Sequence, residues 1–301
     1  MISSLLRLKY FSGACILFTI VLCNGCRQKS VNYEPTYSTD IPSTKVLLFG
    51  VPTQSYYEIH DLFVKYLNEH LKGAKIQTVA ISTFEGYMDQ LRNRYFDLTI
   101  VNGMKALESI RNGYSIVGQV VETGYSGAIL VNKDSAINTL SDLKGKTIAT
   151  PGYPALGGHM LQMVYLGKNG FNVRKDIKLK YLESFESVFL NVYMGKCAAG
   201  FSTVNSWTRF IKRRPEISSK VMVKWTTDPM AGNAFLINNN VDKNIVEQLK
   251  DLILSMHETE EGKLALAKIG YQKFNTADSN SYQPVKDFLK MYYSVVEDSN
   301  R

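Results

Sequence analysis

Residues 125–135 read Tyr-Ser-Gly-Ala-Ile-Leu-Val-Asn-Lys-Asp-Ser, and residues 140–146 read Leu-Ser-Asp-Leu-Lys-Gly-Lys. The apolar run Gly127–Val131 predicts a strand, and a further strand is predicted at Lys146–Thr150, directly after the second stretch. Two sets of alternating strands and helices lie on either side of these residues. The chain therefore passes from one set to the other through this stretch, which indicates two α/β lobes.

Both sets repeat the same local pattern, a short apolar strand followed by a helix. The strands are predicted at Lys45–Val51, Lys75–Ile81, Asp97–Val101, Lys146–Thr150, Lys178–Leu182 and Ala198–Phe201. Such alternation is typical of parallel sheets covered by helices. The sequence therefore predicts an α/β protein with two lobes, each built on a parallel-rich sheet.

Serine residues precede several of these helices. Ser55 is followed by Glu58, and Ser82 by Glu85. This is the capping-box spacing, in which a hydroxyl oxygen and a glutamate satisfy early backbone N–H groups. The pattern predicts helices that begin at these serines, and a third helix that is capped by Ser184.

The turns between strands and helices are the predicted functional regions. Ligands of such sheets bind beyond the carboxyl ends of the strands, where helix N-termini point. Exposed N–H groups and the positive helix end make each turn a weak anion site, so several facing turns can hold one small anion. The turns are Pro52–Tyr56, Ser82–Phe84, Asn102–Met104, Pro151–His159, Glu183–Glu186 and Ser202–Asn205.

Three stretches resemble the phosphonate-binding (PhnD/SsuA-like) solute-binding proteins of ABC transporters. Residues 96–103 resemble a step common to periplasmic binding proteins, and residues 125–135 and 140–146 resemble the family's crossover strand and its D-L-K-G-K turn. Residues 254–285 are similar to its closing helices. The resemblance extends from about Lys45 to Tyr293. It implies a type II periplasmic binding protein fold, with two lobes, two crossover strands and a hinged cleft that closes on a solute.

The resemblance also implies a division of the chain. Residues 45–126 and 232–301 would form lobe 1, and residues 127–231 would form lobe 2. The protein would deliver its small-molecule ligand to an ABC permease in the inner membrane, and we expect it to be a monomer.

Candidate ligand contacts are the polar, aromatic and glycine residues at the turns. His159 is a candidate donor, Tyr56 and Tyr125 offer phenols and aromatic walls, and Thr83 and Asn102 offer polar groups. Each also has a structural explanation, as a helix cap, a surface group or packing under a loop. The full set is Tyr56, Thr83, Phe84, Asn102, Gly103, Tyr125, Gly157, Gly158, His159, Phe185, Glu186 and Asn205.

The sequence departs from the phosphonate binders at one of these turns. Where that family carries a run of hydroxyl side chains, this chain has Ala155, Leu156 and Gly157. Only backbone N–H groups and His159 remain as donors, and Phe185 and Glu186 stand where the family tends to have His and Asp. Phosphonate, phosphite or sulfonate is therefore one ligand class, and a less charged or more aromatic solute is the alternative.

The first 26 residues have the features of an export signal. Arg7 and Lys9 precede an apolar run over residues 14–23, which is too short for a membrane span of roughly 20 apolar residues. Gly25-Cys26 resembles a bacterial lipobox, which implies cleavage after residue 25, lipidation of Cys26 and a lipid anchor in the cell envelope. Residues 26–44 are polar and predict a flexible tether. A plain signal peptide or an uncleaved anchor is the alternative.

Composition and motifs exclude several classes of protein. Four cysteines in 301 residues exclude a disulfide scaffold. The four histidines lack metal-ligand spacing, and no phosphate-loop or nucleophile-elbow motif is present, so we expect no metal, cofactor or enzyme activity. No basic-aromatic module for nucleic acid is present either. A receptor that reports its ligand to a membrane signalling protein remains an alternative, and an enzyme on the same fold is a more remote one.

Overall fold

The computed structural model describes residues 44–121, 125–152 and 155–298. The predicted signal peptide, Cys26 and all but the last residue of the tether lie outside the described residues. No described helix combines the length and the apolar character needed to cross a bilayer.

Each of the two sheets, together with its helices, is called a layer below. The first layer contains a six-stranded sheet. The strands follow the order β11-β4-β10-β3-β1-β2. Its elements are β1 (Lys45–Pro52), α1 (Thr53–Ile59), α2 (Asp61–His70), β2 (Ala74–Ile81), α3 (Phe84–Arg92), β3 (Leu98–Val101), α4 (Gly103–Arg111), β4 (Tyr114–Val121), β10 (Ala234–Asn238), α8 (Lys243–Ser255), α9 (Glu260–Ile269), β11 (Lys273–Asn275) and α10 (Gln283–Asp298).

The second layer is a five-stranded sheet with the order β7-β6-β8-β5-β9. Its elements are β5 (Tyr125–Asn132), β6 (Thr147–Thr150), α5 (Leu161–Lys168), β7 (Lys178–Tyr181), α6 (Phe185–Tyr193), β8 (Ala199–Thr203), α7 (Val204–Arg213) and β9 (Val221–Met230). In the first sheet β1, β2, β3 and β4 run in one direction, and β10 and β11 run opposite to them. In the second sheet β6, β7, β8 and β9 run in one direction, and β5 runs opposite to them.

The predicted α/β fold with two lobes and two crossovers is confirmed. Strand β4 runs in the same direction as β1–β3, because both β4 and β3 pair antiparallel with β10. The chain therefore leaves the first sheet at its carboxyl edge. It enters β5 beside the carboxyl end of β8, where Gly127 pairs with Thr203.

The return crossing joins the same two edges. Met230 at the end of β9 pairs with Tyr125, and Ala234 at the start of β10 pairs with Val101 at the end of β3. Only three residues separate Val121 from Tyr125, and a chain of that length spans at most about 15 Å. The carboxyl edges of the two sheets are thus held close to each other by both connections.

The elements differ from the sequence prediction in a few places. Helix α1 begins at Thr53 rather than Ser55, after Pro52, which provides no side-chain cap. Helix α3 is capped by Thr83 rather than Ser82, so the capping-box interpretation was one residue off. The short strand β11 was not predicted, because its three residues become a strand only by pairing with β4.

Candidate ligand-binding site

The turn between β6 and α5 brings four predicted residues together. A Cβ placed on Gly157 would lie 2.4 Å from Cγ2 of Thr203 and 2.8 Å from the phenolic oxygen of Tyr125. A Cβ on Gly158 would lie 2.8 Å from Cε1 of Phe185. Only glycine permits these approaches, so the backbone of the turn is flanked by Tyr125 on one side and Phe185 on the other.

The turn itself begins with one π-helical turn, Leu156–Met160. The carbonyl of Ala155 accepts from the backbone N–H groups of His159, at 2.9 Å, and of Met160, at 3.0 Å. The N–H groups of Leu156, Gly157 and Gly158 precede these bonds and have no acceptor within a helix that starts here. Leu156, Gly157 and Gly158 are all buried, and the two glycines have no side chain that would cover these N–H groups.

His159 lies beneath the turn rather than at its exposed edge. Its side chain is 2% exposed, and its Nδ1 is 3.4 Å from Oγ1 of Thr150. The ring centroid is 6.1 Å from that of Tyr181 and 6.4 Å from that of Tyr292. Burial lowers the pKa of His159 to about 4, so the imidazole is neutral at physiological pH. A ligand contact by this ring stays a prediction.

The two remaining turns of the second layer flank this one. Phe185 opens α6, whose cap is the Ser184 hydroxyl, as predicted. Glu186 accepts from Nη2 of Arg213 at 2.6 Å, and both side chains are exposed. This ion pair turns Glu186 towards α7. Asn205 lies in the first turn of α7.

The turns of the first layer are capped by the predicted polar residues. Oγ1 of Thr83 accepts from the backbone N–H of Gly86, and Oδ1 of Asn102 accepts from that of Lys105, both at 3.1 Å. Gly103 is buried at the start of α4. These oxygens therefore already serve as helix caps, which is the structural explanation weighed for them.

Two aromatic rings stand exposed at the same edge. Phe84 is 53% exposed, and Tyr56 is 38% exposed. The Tyr56 ring lies 6.2 Å from that of His60, and the Phe84 ring lies 6.3 Å from that of Tyr87. Large exposed aromatic groups at the carboxyl edge of a sheet are available for contact with a ligand.

Sequence reasoning missed two residues beside the turn between β6 and α5. Thr203 contacts Gly157 and caps α7 through a bond from Ser206; its position at a strand end was the available signal. Gln162 is fully buried in α5 and contacts the carbonyl of Gly157. A glutamine within an apolar helix gives no comparable signal.

Two surface cavities lie elsewhere. One of about 470 Å³ is lined by Ile116, Val117, Val246, Glu247, Lys250, Thr276, Ala277, Asp278 and Ser281. A second of about 250 Å³ is lined by Asn132, Asp134, Ser135, Gly195, Cys197 and Ala198. Neither includes a predicted ligand residue.

Burial raises the pKa of the Cys197 thiol, as expected for an inert buried cysteine. Within the described residues no His, Cys, Asp and Glu side chains cluster as a metal site would require.

Most of the chain matches a known family. Residues 51–282 match the family model described as "ABC transporter, phosphonate, periplasmic substrate-binding protein". The chain belongs to this family. It is therefore a periplasmic substrate-binding component of an ABC transporter, and the predicted resemblance is confirmed.

Individual relatives agree with the family match. The phosphonates-binding periplasmic protein of Escherichia coli K12 is 22% identical, over 80% of this chain and 75% of its own length. A binding-protein component of an ABC phosphonate transporter from Pseudomonas aeruginosa superposes with a TM-score of 0.76 at 20% identity, covering 85% and 89% of the two chains. A Prochlorococcus marinus MIT 9301 protein, solved in complex with methylphosphonate, has a TM-score of 0.72 at 17% identity and covers 82% and 98%.

These findings favour transport over the alternatives. The relatives are substrate-binding proteins of transporters rather than enzymes, and their family is periplasmic. The signalling receptor is less supported, because the family model and the curated relative both describe transport components.

Proposed function

We propose that this chain captures a small oxyanion, such as a phosphonate, phosphite or sulfonate, between its two lobes and delivers it to a membrane permease. The topology supports this proposal. Both crossovers join the carboxyl edges of the sheets, so the helix N-termini of the two layers flank one shared region. Such N-termini stabilise anions through backbone N–H groups and the helix dipole.

The turn between β6 and α5 gives this proposal its strongest support. It presents the first N–H groups of a helix, and its glycines allow Tyr125 and Phe185 to approach them. None of the twelve candidate residues is a lysine or an arginine. Binding would therefore depend on neutral donors, whose hydrogen bonds to an ionised oxygen are stronger than those between neutral groups.

The organic part of the ligand would contact aromatic side chains. Phe84 and Tyr56 are exposed on the first layer, and Phe185 and Tyr125 lie beside the turn of the second. A substituent on phosphorus or sulfur that packs between these rings would add apolar contact to the oxyanion contacts. We therefore propose that an organic phosphonate or sulfonate is preferred over inorganic phosphate.

Calorimetry with methylphosphonate, phosphite, methanesulfonate and phosphate tests this function. We expect at least one of the first three to bind the wild-type protein and raise its melting temperature. Gly158→Pro removes one backbone donor of the turn and should weaken the best binder at least tenfold. Its ring also meets Phe185 and Pro151, so binding is measured at a temperature where circular dichroism shows the variant folded. Glu260→Pro, an exposed first-turn position of α9 on the other layer, is the matched control and should bind as the wild type does.

Two results would contradict the proposal. If none of the four compounds binds, the ligand class is wrong. If Gly158→Pro binds as tightly as Glu260→Pro does, the turn between β6 and α5 does not contact the ligand.

We also propose that the protein is a monomeric lipoprotein without catalytic activity, held at the envelope membrane through Cys26. The Gly25-Cys26 pair after an apolar run supports the anchor. Cys26→Ser should move the protein from the membrane fraction to the soluble periplasmic fraction, whereas Cys197→Ser, the buried cysteine, should leave it in the membrane fraction. Membrane retention of Cys26→Ser would indicate an uncleaved helix instead.

A further inference from the structure

Gln162 lies fully buried in α5, directly behind the turn that begins this helix. Its Nε2 is 2.8 Å from the carbonyl oxygen of Gly157, 2.5 Å from that of Ser202 and 3.3 Å from that of Ala128. These carbonyls belong to the turn, to the end of β8 and to the crossover strand β5. A carboxamide nitrogen has two N–H groups, so the two short bonds use both and the third carbonyl shares one.

The orientation of the Gln162 amide is determined by these contacts. The opposite orientation would place Oε1 against three carbonyl oxygens, which cannot donate a hydrogen bond. In the observed orientation Oε1 is buried and has no hydrogen-bond partner within the described part of the chain. A buried acceptor without a partner costs stability. The contacts that hold Gln162 are therefore those of Nε2 with the three carbonyls.

The direction of the Gly157 carbonyl determines that of the next N–H group. In a trans peptide the carbonyl of one residue and the N–H of the following residue point in opposite directions. The carbonyl of Gly157 points along the helix towards Gln162, so the N–H of Gly158 points the opposite way, towards the N-terminal end of the helix. This N–H belongs to the first turn of the helix, where no intrahelical acceptor exists.

We infer that Gln162 is the positioning residue of the oxyanion site: by holding the Gly157 carbonyl, it aims the Gly158 N–H at the ligand. The inference rests on the proposed function. The turn has Ala155, Leu156 and Gly157 in place of hydroxyl side chains, so its donors are backbone N–H groups. The buried side chain of Gln162 would orient these donors. Gln162 itself does not touch the ligand.

Gln162→Met tests this inference, because methionine has a similar length but no donor. We expect its affinity for the best-bound oxyanion of the panel to fall about tenfold or more by calorimetry, at a temperature where circular dichroism shows the variant folded. Gln248→Met is the matched control. Gln248 also bonds backbone groups, those of Lys72 at 3.1 and 3.4 Å, but in the first layer. It should bind as the wild type does.

A selective NMR measurement separates positioning from a general loss of stability. Gly157-Gly158 is the only Gly-Gly pair in the sequence. With glycine labelled with ¹³C at the carbonyl and ¹⁵N at the amide, a carbonyl-filtered spectrum therefore shows the Gly158 amide alone. We expect this signal to move downfield in the wild type when the oxyanion is added, and to move far less in Gln162→Met.

The outcomes are distinguishable. If the wild type binds none of the panel, the proposed function is wrong and the inference falls with it. If the wild type binds but its Gly158 amide signal does not move, the inference alone is wrong. The same holds if folded Gln162→Met binds as tightly as Gln248→Met does. A wild-type signal that does not move overturns the inference even where Gln162→Met does not fold.

Discussion

Two buried histidines show how burial sets the charge of a single residue. His60 and His159 are 5% and 2% exposed. Burial lowers the pKa of each to about 4 from 6.5, and for His60 a bond to the carbonyl of Tyr56 opposes the shift while the positive charge of Arg209 adds to it. Both rings are therefore neutral in the folded protein near neutral pH.

Stability should fall as the pH falls from about 6.5 to 4. In this range the unfolded chain binds protons at His60 and His159 that the folded chain does not bind. The stabilisation is complete above pH 6.5. On acidification the free energy of unfolding can fall by up to about 3 kcal/mol for each histidine. Urea unfolding at pH 7.5 and pH 5 measures the difference between the free energies of unfolding at the two pH values. This difference should be smaller in His159→Gln than in His70→Gln, which changes an exposed histidine and serves as the control. An equal difference in both variants would contradict the assignment.

At the scale of elements, helix α4 combines a predictable start with an unpredictable constraint. Asn102 before Gly103 predicts the cap, and the structure places it there. Glycine is needed at position 103 because the start of α10 and the residue before it pack against this position. A Cβ on Gly103 would lie 2.7 Å from Cδ1 of Tyr282 and 2.8 Å from Cγ2 of Val285. The local sequence does not contain this information.

Gly103→Ala should therefore lower the free energy of unfolding by about 1–3 kcal/mol, because Tyr282 and Val285 must move to admit the methyl group. Gly118→Ala is a milder comparison, since its nearest neighbour is the flexible end of Ile253, at 2.8 Å. Urea denaturation of the two variants gives the comparison. A Gly103→Ala protein that is as stable as Gly118→Ala would show that α10 yields easily.

At the scale of the whole molecule, α10 touches both layers. Tyr282, just before it, and Val285, near its start, contact Gly103 of α4, and near its end Val295 contacts Gly167 of α5. The sequence assigned residues 232–301 to lobe 1 alone, a division that stays a prediction. The last helix thus adds a third link between the layers beside the two crossovers.

Gly167→Ala should loosen this link. The new Cβ would lie 2.6 Å from Cγ1 of Val295, so the end of α10 must shift away from α5. Hydrogen exchange measured by mass spectrometry should become faster in peptides covering residues 288–296 and stay unchanged in β1 and β6. Unchanged exchange at residues 288–296 would mean that the contact does not hold the helix in place.

The sequence by itself determined the alternation of strands and helices, the turns that follow the strands, and the caps Asn102 and Ser184. These features arise from interactions between residues close in the chain, so local patterns contain them. The tertiary structure alone decided that His159 is buried, that Glu186 pairs with Arg213, and that Gln162 bonds the carbonyls of Ser202 and Ala128. Each of these depends on residues that only the packing of distant segments brings within contact distance.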